Sequence, residues 1–133
     1  MIAVLVLTHG QFGENLLKTA CGIMKDELNI KALNLSRRED FSSLRKKVRE
    51  RLNELDSKEG VMVLIDAYGG TSYNTTVPMM KDYNMSIVTG VNLPMLLSAL
   101  TNRARMPLHE LAKKVSEDAK KTISVLSYLD VSA

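Results

Sequence analysis

Two stretches of the chain, residues 2–7 (IAVLVL) and 61–65 (VMVLI), are apolar at every position. Runs of strand length, rich in β-branched residues and lacking the alternation of a half-exposed strand, predict parallel strands covered on both faces. Residues 30–35 (IKALNL) alternate apolar and polar, which suits a less covered edge strand, and 86–91 (SIVTGV) predicts a fourth. Between these runs the period becomes helical. Phe12, Leu16, Leu17, Ala20, Cys21 and Met24 share one face, and Phe41, Leu44, Val48, Leu52 and Leu55 form a second stripe. Ser36 with Glu39 resembles a capping box for the second helix, and Asp40 is an equally fair N-cap, so that start is open by a turn. A short helix is expected over 72–82, where Pro78 removes a hydrogen-bond donor and predicts a kink or a late start. Asn92 and Pro94 open a helix over 93–104, and Pro107 opens another with Leu108, Leu111, Ala112, Val115 and Ala119 on one face. The tail 122–130 (TISVLSYLD) is ambiguous between continued helix and a final strand.

Alternation of strand and helix predicts an α/β fold, an open and mainly parallel sheet with helices on both faces, joined by right-handed crossovers. No repeat, linker or low-complexity segment interrupts residues 1–133, which predicts a single domain. Ligands of such sheets bind beyond the carboxyl ends of the strands, where the strand order reverses. The loops after strands one and three are therefore the place to look for chemistry.

Composition changes this picture little. At 45% hydrophobic and 25% charged residues, the chain falls outside the regime of disorder. The opening MIAVLVLTHG carries no basic segment, and its apolar run is too short to cross a bilayer, so neither a secretion signal nor a membrane span is expected. Cys21 is the sole cysteine, which excludes an intramolecular disulfide and points to a reducing, cytoplasmic setting. On an apolar helix face it reads as a small core residue, with a reactive thiol as the alternative. The net charge of +3 suggests nucleic acid at first sight. The excess is concentrated in Arg37, Arg38, Arg45, Lys46, Lys47, Arg49 and Arg51, interleaved with apolar positions at helical spacing, which describes a solvated helix face. Tryptophan is absent and only Phe41 lies in that stretch, so the stacking platforms of single-strand binders are missing and no nucleic-acid partner is expected.

Strand one ends in Thr8, His9 and Gly10; strand three ends in Asp66, Ala67, Tyr68, Gly69, Gly70, Thr71 and Ser72. In a strand order 2-1-3-4 the first and third strands are neighbours, and His9 and Asp66 emerge side by side. An imidazole with an ordinary pKa of about 6.5 offers a lone pair near neutral pH. A carboxylate on its other nitrogen fixes the tautomer and stabilises the charge that grows as a bond to phosphorus forms. His9 is thus the candidate nucleophile and Asp66 its orienting partner. Phosphoryl transfer asks mainly for positioning and for donors to the equatorial oxygens, and Gly69, Gly70, Thr71 and Ser72 lead into a helix whose backbone N–H groups can meet an anion. Gly70, Thr71, Ser72 and Thr8 are the candidate phosphate-binding residues. No metal or cofactor is signalled: the two histidines lie a hundred residues apart without an acidic cluster. His109 reads as an exposed helix residue. Phe12, Tyr68, Tyr73 and Met95 flank the site and form either an apolar docking rim or part of the core.

The chain resembles the IIA component of the mannose family of the bacterial sugar phosphotransferase system. The likeness lies in the order of elements over almost the whole chain and in three motifs: VLVLTHG with His9, LIDAYGGTS with Asp66, and GVNLPMLL at residues 90–97. It implies that His9 accepts phosphate from the phosphocarrier protein HPr and passes it to a IIB partner, that Asp66 pairs with His9, and that Thr71 binds the phosphate. It also implies a homodimer with a C-terminal antiparallel strand exchanged between subunits, and contact with a membrane permease only indirectly. One departure stands out: the family usually has proline after the Gly-Gly-hydroxyl triplet, and this chain has Ser72.

Other functions use the same residues differently. A regulatory IIA-like module would change its binding to another protein on phosphorylation of His9 without transporting sugar, and a phosphodonor of a dihydroxyacetone kinase stands between the two. A nucleotide or flavin binder on the same architecture is a third option; the chain lacks a GxxxxGK loop, THGQFG is not the dinucleotide fingerprint GxGxxG, and absorbance of the purified protein decides the flavin case. An aspartate-phosphorylated receiver would need an acidic pair for Mg²⁺ after the first strand, which is missing.

Overall fold

The computed structural model describes residues 1–36, 38–56 and 58–132. Strands β1 (Ala3–His9), β2 (Ile30–Leu35), β3 (Val61–Ile65) and β4 (Met85–Thr89) form one sheet in the order β2-β1-β3-β4, all parallel. Three of the expected strands fall within a residue or two of their apolar runs. The fourth is set back, from the expected 86–91 to Met85–Thr89, because Gly90 adopts φ +79° and turns the chain out of the ladder. The Val91 amide then donates to the Ile65 carbonyl at 3.1 Å and ties the turn back to β3.

The pleat divides the core in two. Ile2, Val4, Val6, Met62 and Leu64 face helices α1 (Phe12–Met24), α4 (Leu93–Asn102) and α5 (Leu108–Lys120). Leu5, Leu7, Val63 and Ile65 face α2 (Phe41–Glu54) and Met79. The central strands are covered on both sides, and this explains their lack of alternation. Cys21 is buried in the first cluster, where burial and nearby Glu27 and Asp26 push its thiol pKa up, so it is a core residue.

Each helix start has a local cause. Asp40 is the N-cap of α2, its carboxylate accepting from the Ser43 amide at 2.7 Å, while Glu39 only reaches back weakly to the Ser36 amide. Asn92 caps α4 in the same way through the Met95 amide at 2.9 Å. Helix α3 (Thr71–Thr76) passes at Val77 into a 3-10 helix (Val77–Lys81), with Pro78 in the first turn of the second segment. There its missing N–H and fixed φ are tolerated, which accounts for a proline within an otherwise helical stretch. The basic face of α2 is solvated as expected: Arg45, Lys46, Lys47 and Arg49 are exposed, with ion pairs from Lys47 to Glu39 and from Arg49 to Asp82; Arg37 lies outside the described residues.

A buried ion pair at the opposite end of the sheet escaped the sequence pattern. Arg103 is fully buried and donates to both carboxylate oxygens of Asp26 at 2.9 and 3.0 Å, and to the Leu28 and Ile2 carbonyls. One guanidinium thereby joins the end of α4 to the entry of β1 and the turn before β2. The tail 122–130 is neither of the two expected elements in full. Residues 122–127 carry no regular structure, and a short helix α6 (Tyr128–Ser132) follows, both exposed.

Candidate functional site

The site is assembled at the crevice where the chain order reverses, between β1 and β3. Leu7 pairs with Ile65 and His9 with Leu35, so His9 and Asp66, each just beyond the paired register of β1 with β3, leave the sheet together. Asp66 Oδ2 accepts twice from His9, from the backbone N–H at 2.9 Å and from ring Nδ1 at 2.8 Å. Burial pushes the Asp66 pKa up, but the two hydrogen bonds and the charge of His9 outweigh it and hold the carboxyl below the ordinary range. An ionised carboxylate only accepts hydrogen bonds, so Nδ1 carries a proton, and in the neutral form of the ring the lone pair is on Nε2. The His9 side chain is 60% exposed and that of Asp66 17%, so the imidazole is open to solvent while its partner is sheltered.

Thr8 and Gly13 hold this arrangement from beneath. The Thr8 hydroxyl is buried and accepts from the Gly13 amide at 2.6 Å, which fixes the first turn of α1 against the end of β1. A Cβ at Gly13 would stand 2.7 Å from Thr8 Oγ1 and 2.9 Å from Val6 Cγ1, so only glycine permits the approach. Gly10, at φ +53°, turns the chain from strand to helix. Sequence reasoning passed over Gly13; the signal was a glycine inside the first turn of a helix, where it is otherwise disfavoured.

The candidate phosphate-binding residues divide by exposure. Gly70, the N-cap of α3, and Thr71, its first residue, are half-buried at the mouth of the site. Gly69 has φ +74°, and its carbonyl accepts from the Asn74 side chain at 3.1 Å, which ties the loop to the helix it precedes. Ser72 is 1% exposed, and its hydroxyl makes no hydrogen bond among the described residues. Thr8 and Ser72 thus lie below the surface on which an anion from solvent would land. Of the flanking residues, Phe12 and Tyr68 are exposed, Tyr73 is half-buried against the Tyr68 ring and Met95 is buried. His109 is exposed on α5, away from the site. Among the described residues, no group of three or more His, Cys, Asp or Glu side chains could hold a metal ion, and no helix is long and apolar enough to cross a membrane.

Fold and site together define a doubly wound α/β protein with an exposed histidine paired to an aspartate at its switch point. Known relatives narrow that class. The family model for mannose-type EIIA, described as the PTS system fructose IIA component, matches residues 3–116. The chain is 30% identical over 128 residues to the fructose-specific EIIA component of the phosphotransferase system of Bacillus subtilis (strain 168), covering 96% of this chain and 88% of that protein. It is 31% identical over 127 residues to the mannose-specific EIIAB component of Escherichia coli (strain K12), covering 94% of this chain but 39% of that longer protein. The crystal structure of a phosphotransferase system component EIIA from Streptococcus agalactiae shares the fold at a TM-score of 0.85 and 22% identity, over 94% of this chain and 97% of that one. The chain belongs to the mannose family of IIA components of the sugar phosphotransferase system. Membership supports a phosphoryl-carrier role in that system, and the family implies HPr and IIB components as partners.

Proposed function

We propose that the protein carries a phosphoryl group on His9 Nε2, taking it from phosphorylated HPr and passing it to a IIB protein. The observation behind this is the Asp66–Nδ1 contact of 2.8 Å on a side chain that is 60% exposed, which in the neutral ring leaves the lone pair on Nε2. As Nε2 attacks phosphorus, the N–P bond of the donor histidine breaks and its electron pair returns to the donor ring. The new phosphoimidazole keeps its Nδ1 proton, and its positive charge is met by Asp66. Transfer to IIB repeats the step in reverse with a new acceptor, so the chemistry needs no metal or cofactor. Backbone N–H groups at Gly70 and Thr71 and the Thr71 hydroxyl meet the phosphoryl oxygens, while buried Thr8 and Ser72 support from below. Such a carrier works in the cytoplasm and touches a sugar permease only through IIB.

The active form in this proposal is a homodimer. Ile123, Val125, Leu126, Tyr128, Leu129 and Val131 are each at least 68% exposed on the tail, an uncommon density of bare apolar side chains. β4 ends the sheet, and among the described residues no strand pairs with its outer edge. A tail strand from a second copy laid on that edge would cover both.

The test is incubation with phosphoenolpyruvate, its protein kinase and HPr, followed by phosphopeptide mapping. The expected label is acid-labile, base-stable, confined to His9 and absent from His9→Ala; undiminished labelling of His9→Ala overturns the function. Passage of the label to a IIB protein separates a transport carrier from a regulatory module, which would retain it.

A further inference from the structure

The chain contains two phenylalanines, a residue type that normally goes to the core, and neither is buried. Phe12 is 51% exposed and Phe41 49%. Each is the first residue of its helix, α1 and α2, so both stand at the carboxyl edge of the sheet where His9 emerges. Tyr68 comes two residues after Asp66 and is 77% exposed, yet it is braced: its ring lies 4.9 Å from that of half-buried Tyr73. The Asn74 contact to Gly69 secures the same loop. An aromatic side chain held in place before binding loses little freedom on burial, which is the property of an interface anchor.

We propose that Phe12, Phe41 and Tyr68 form the docking rim for the phosphodonor, a protein that presents an apolar patch around its own phosphohistidine. It rests on the carrier function proposed above. Transfer between two imidazoles requires the donor's phosphorus to come within bonding reach of Nε2, so the donor's surface must lie over the residues that flank His9. Phe12 stands three residues after His9 and Tyr68 two after Asp66, one on each side of the reacting pair; Phe41 extends the rim on the α2 side. Polar Gln11, Ser36 and Arg38, also exposed, interrupt the rim and leave it short of a continuous sticky patch. Such a surface suits a partner that must dock, transfer and leave.

The experiment compares Phe12→Ser, Phe41→Ser and Tyr68→Ser with the full wild-type chain. Two donors are used: phosphorylated HPr, and phosphoramidate, a small phosphodonor that needs no docking surface. The expected result is a KM for HPr raised about tenfold or more for at least two of the three variants. The maximal rate and the phosphoramidate rate should stay near wild type. An unchanged KM in all three overturns the rim. Equal losses with both donors also overturn it, because the residues would then act on the geometry of His9. So does a change of oligomeric state on sedimentation, which would assign the rim to contact between copies. Failure of HPr to label the wild type at all is a different result, and it removes the carrier function together with the rim.

Discussion

Asp66 Oδ2 receives both the backbone N–H and the ring proton of His9, so a single oxygen fixes the residue's position and its tautomer. Replacing Asp66 by Asn keeps the shape but allows the amide to donate, and the ring proton is no longer directed to Nδ1. Phosphoryl transfer to Asp66→Asn is expected to fall by roughly 10²-fold or more, by analogy with loss of the orienting carboxylate in a hydrolase triad. Stability carries a matching signature. The Asp66 pKa is depressed in the folded protein, so its contribution is complete above the ordinary carboxylate range and is lost as the pH falls through the folded value. Acid titration of unfolding should therefore show a steeper loss for the wild type than for Asp66→Asn. Parallel curves would mean that the pair does not stabilise the folded state.

Helix α1 depends on one close contact at its first turn. Adding a methyl at Gly13 drives it to within 2.7 Å of the Thr8 hydroxyl that the Gly13 amide needs. Gly13→Ala is expected to destabilise the protein by about 1–3 kcal/mol through overpacking, and to slow transfer because Thr8 adjoins His9. Denaturant unfolding with an assay of His9 labelling checks both effects, and a fully stable, fully active variant would refute the contact's role. The same element shows what a sequence does and does not reveal. Covered strands announce themselves as unbroken apolar runs, and the neighbouring positions of His9 and Asp66 follow once the order 2-1-3-4 is accepted. A glycine required by the close approach of the Thr8 and Val6 side chains leaves no periodic trace. Nor does Arg103, whose burial depends on carbonyls and a carboxylate from segments far apart in the chain. Phe12 and Phe41 fit apolar helical stripes, but as first residues of their helices they project past the sheet edge, and periodicity carries no information about where a helix outruns the core.

The whole molecule leaves two surfaces unfinished, the bare apolar tail and the free edge of β4, and the proposed homodimer completes both. Sedimentation is expected to give a dimer for the wild type and a monomer for a Val125→Asp, Leu126→Asp double variant; equal masses would remove the tail from the interface. Everything functional still returns to one ring nitrogen. Nuclear magnetic resonance of the phosphorylated, histidine-¹⁵N-labelled protein reports which nitrogen is bonded to phosphorus. Phosphorus on Nε2 of His9, with a proton retained on Nδ1, is the predicted result. Phosphorus on Nδ1, or a His9 ring that never acquires it, would contradict the account.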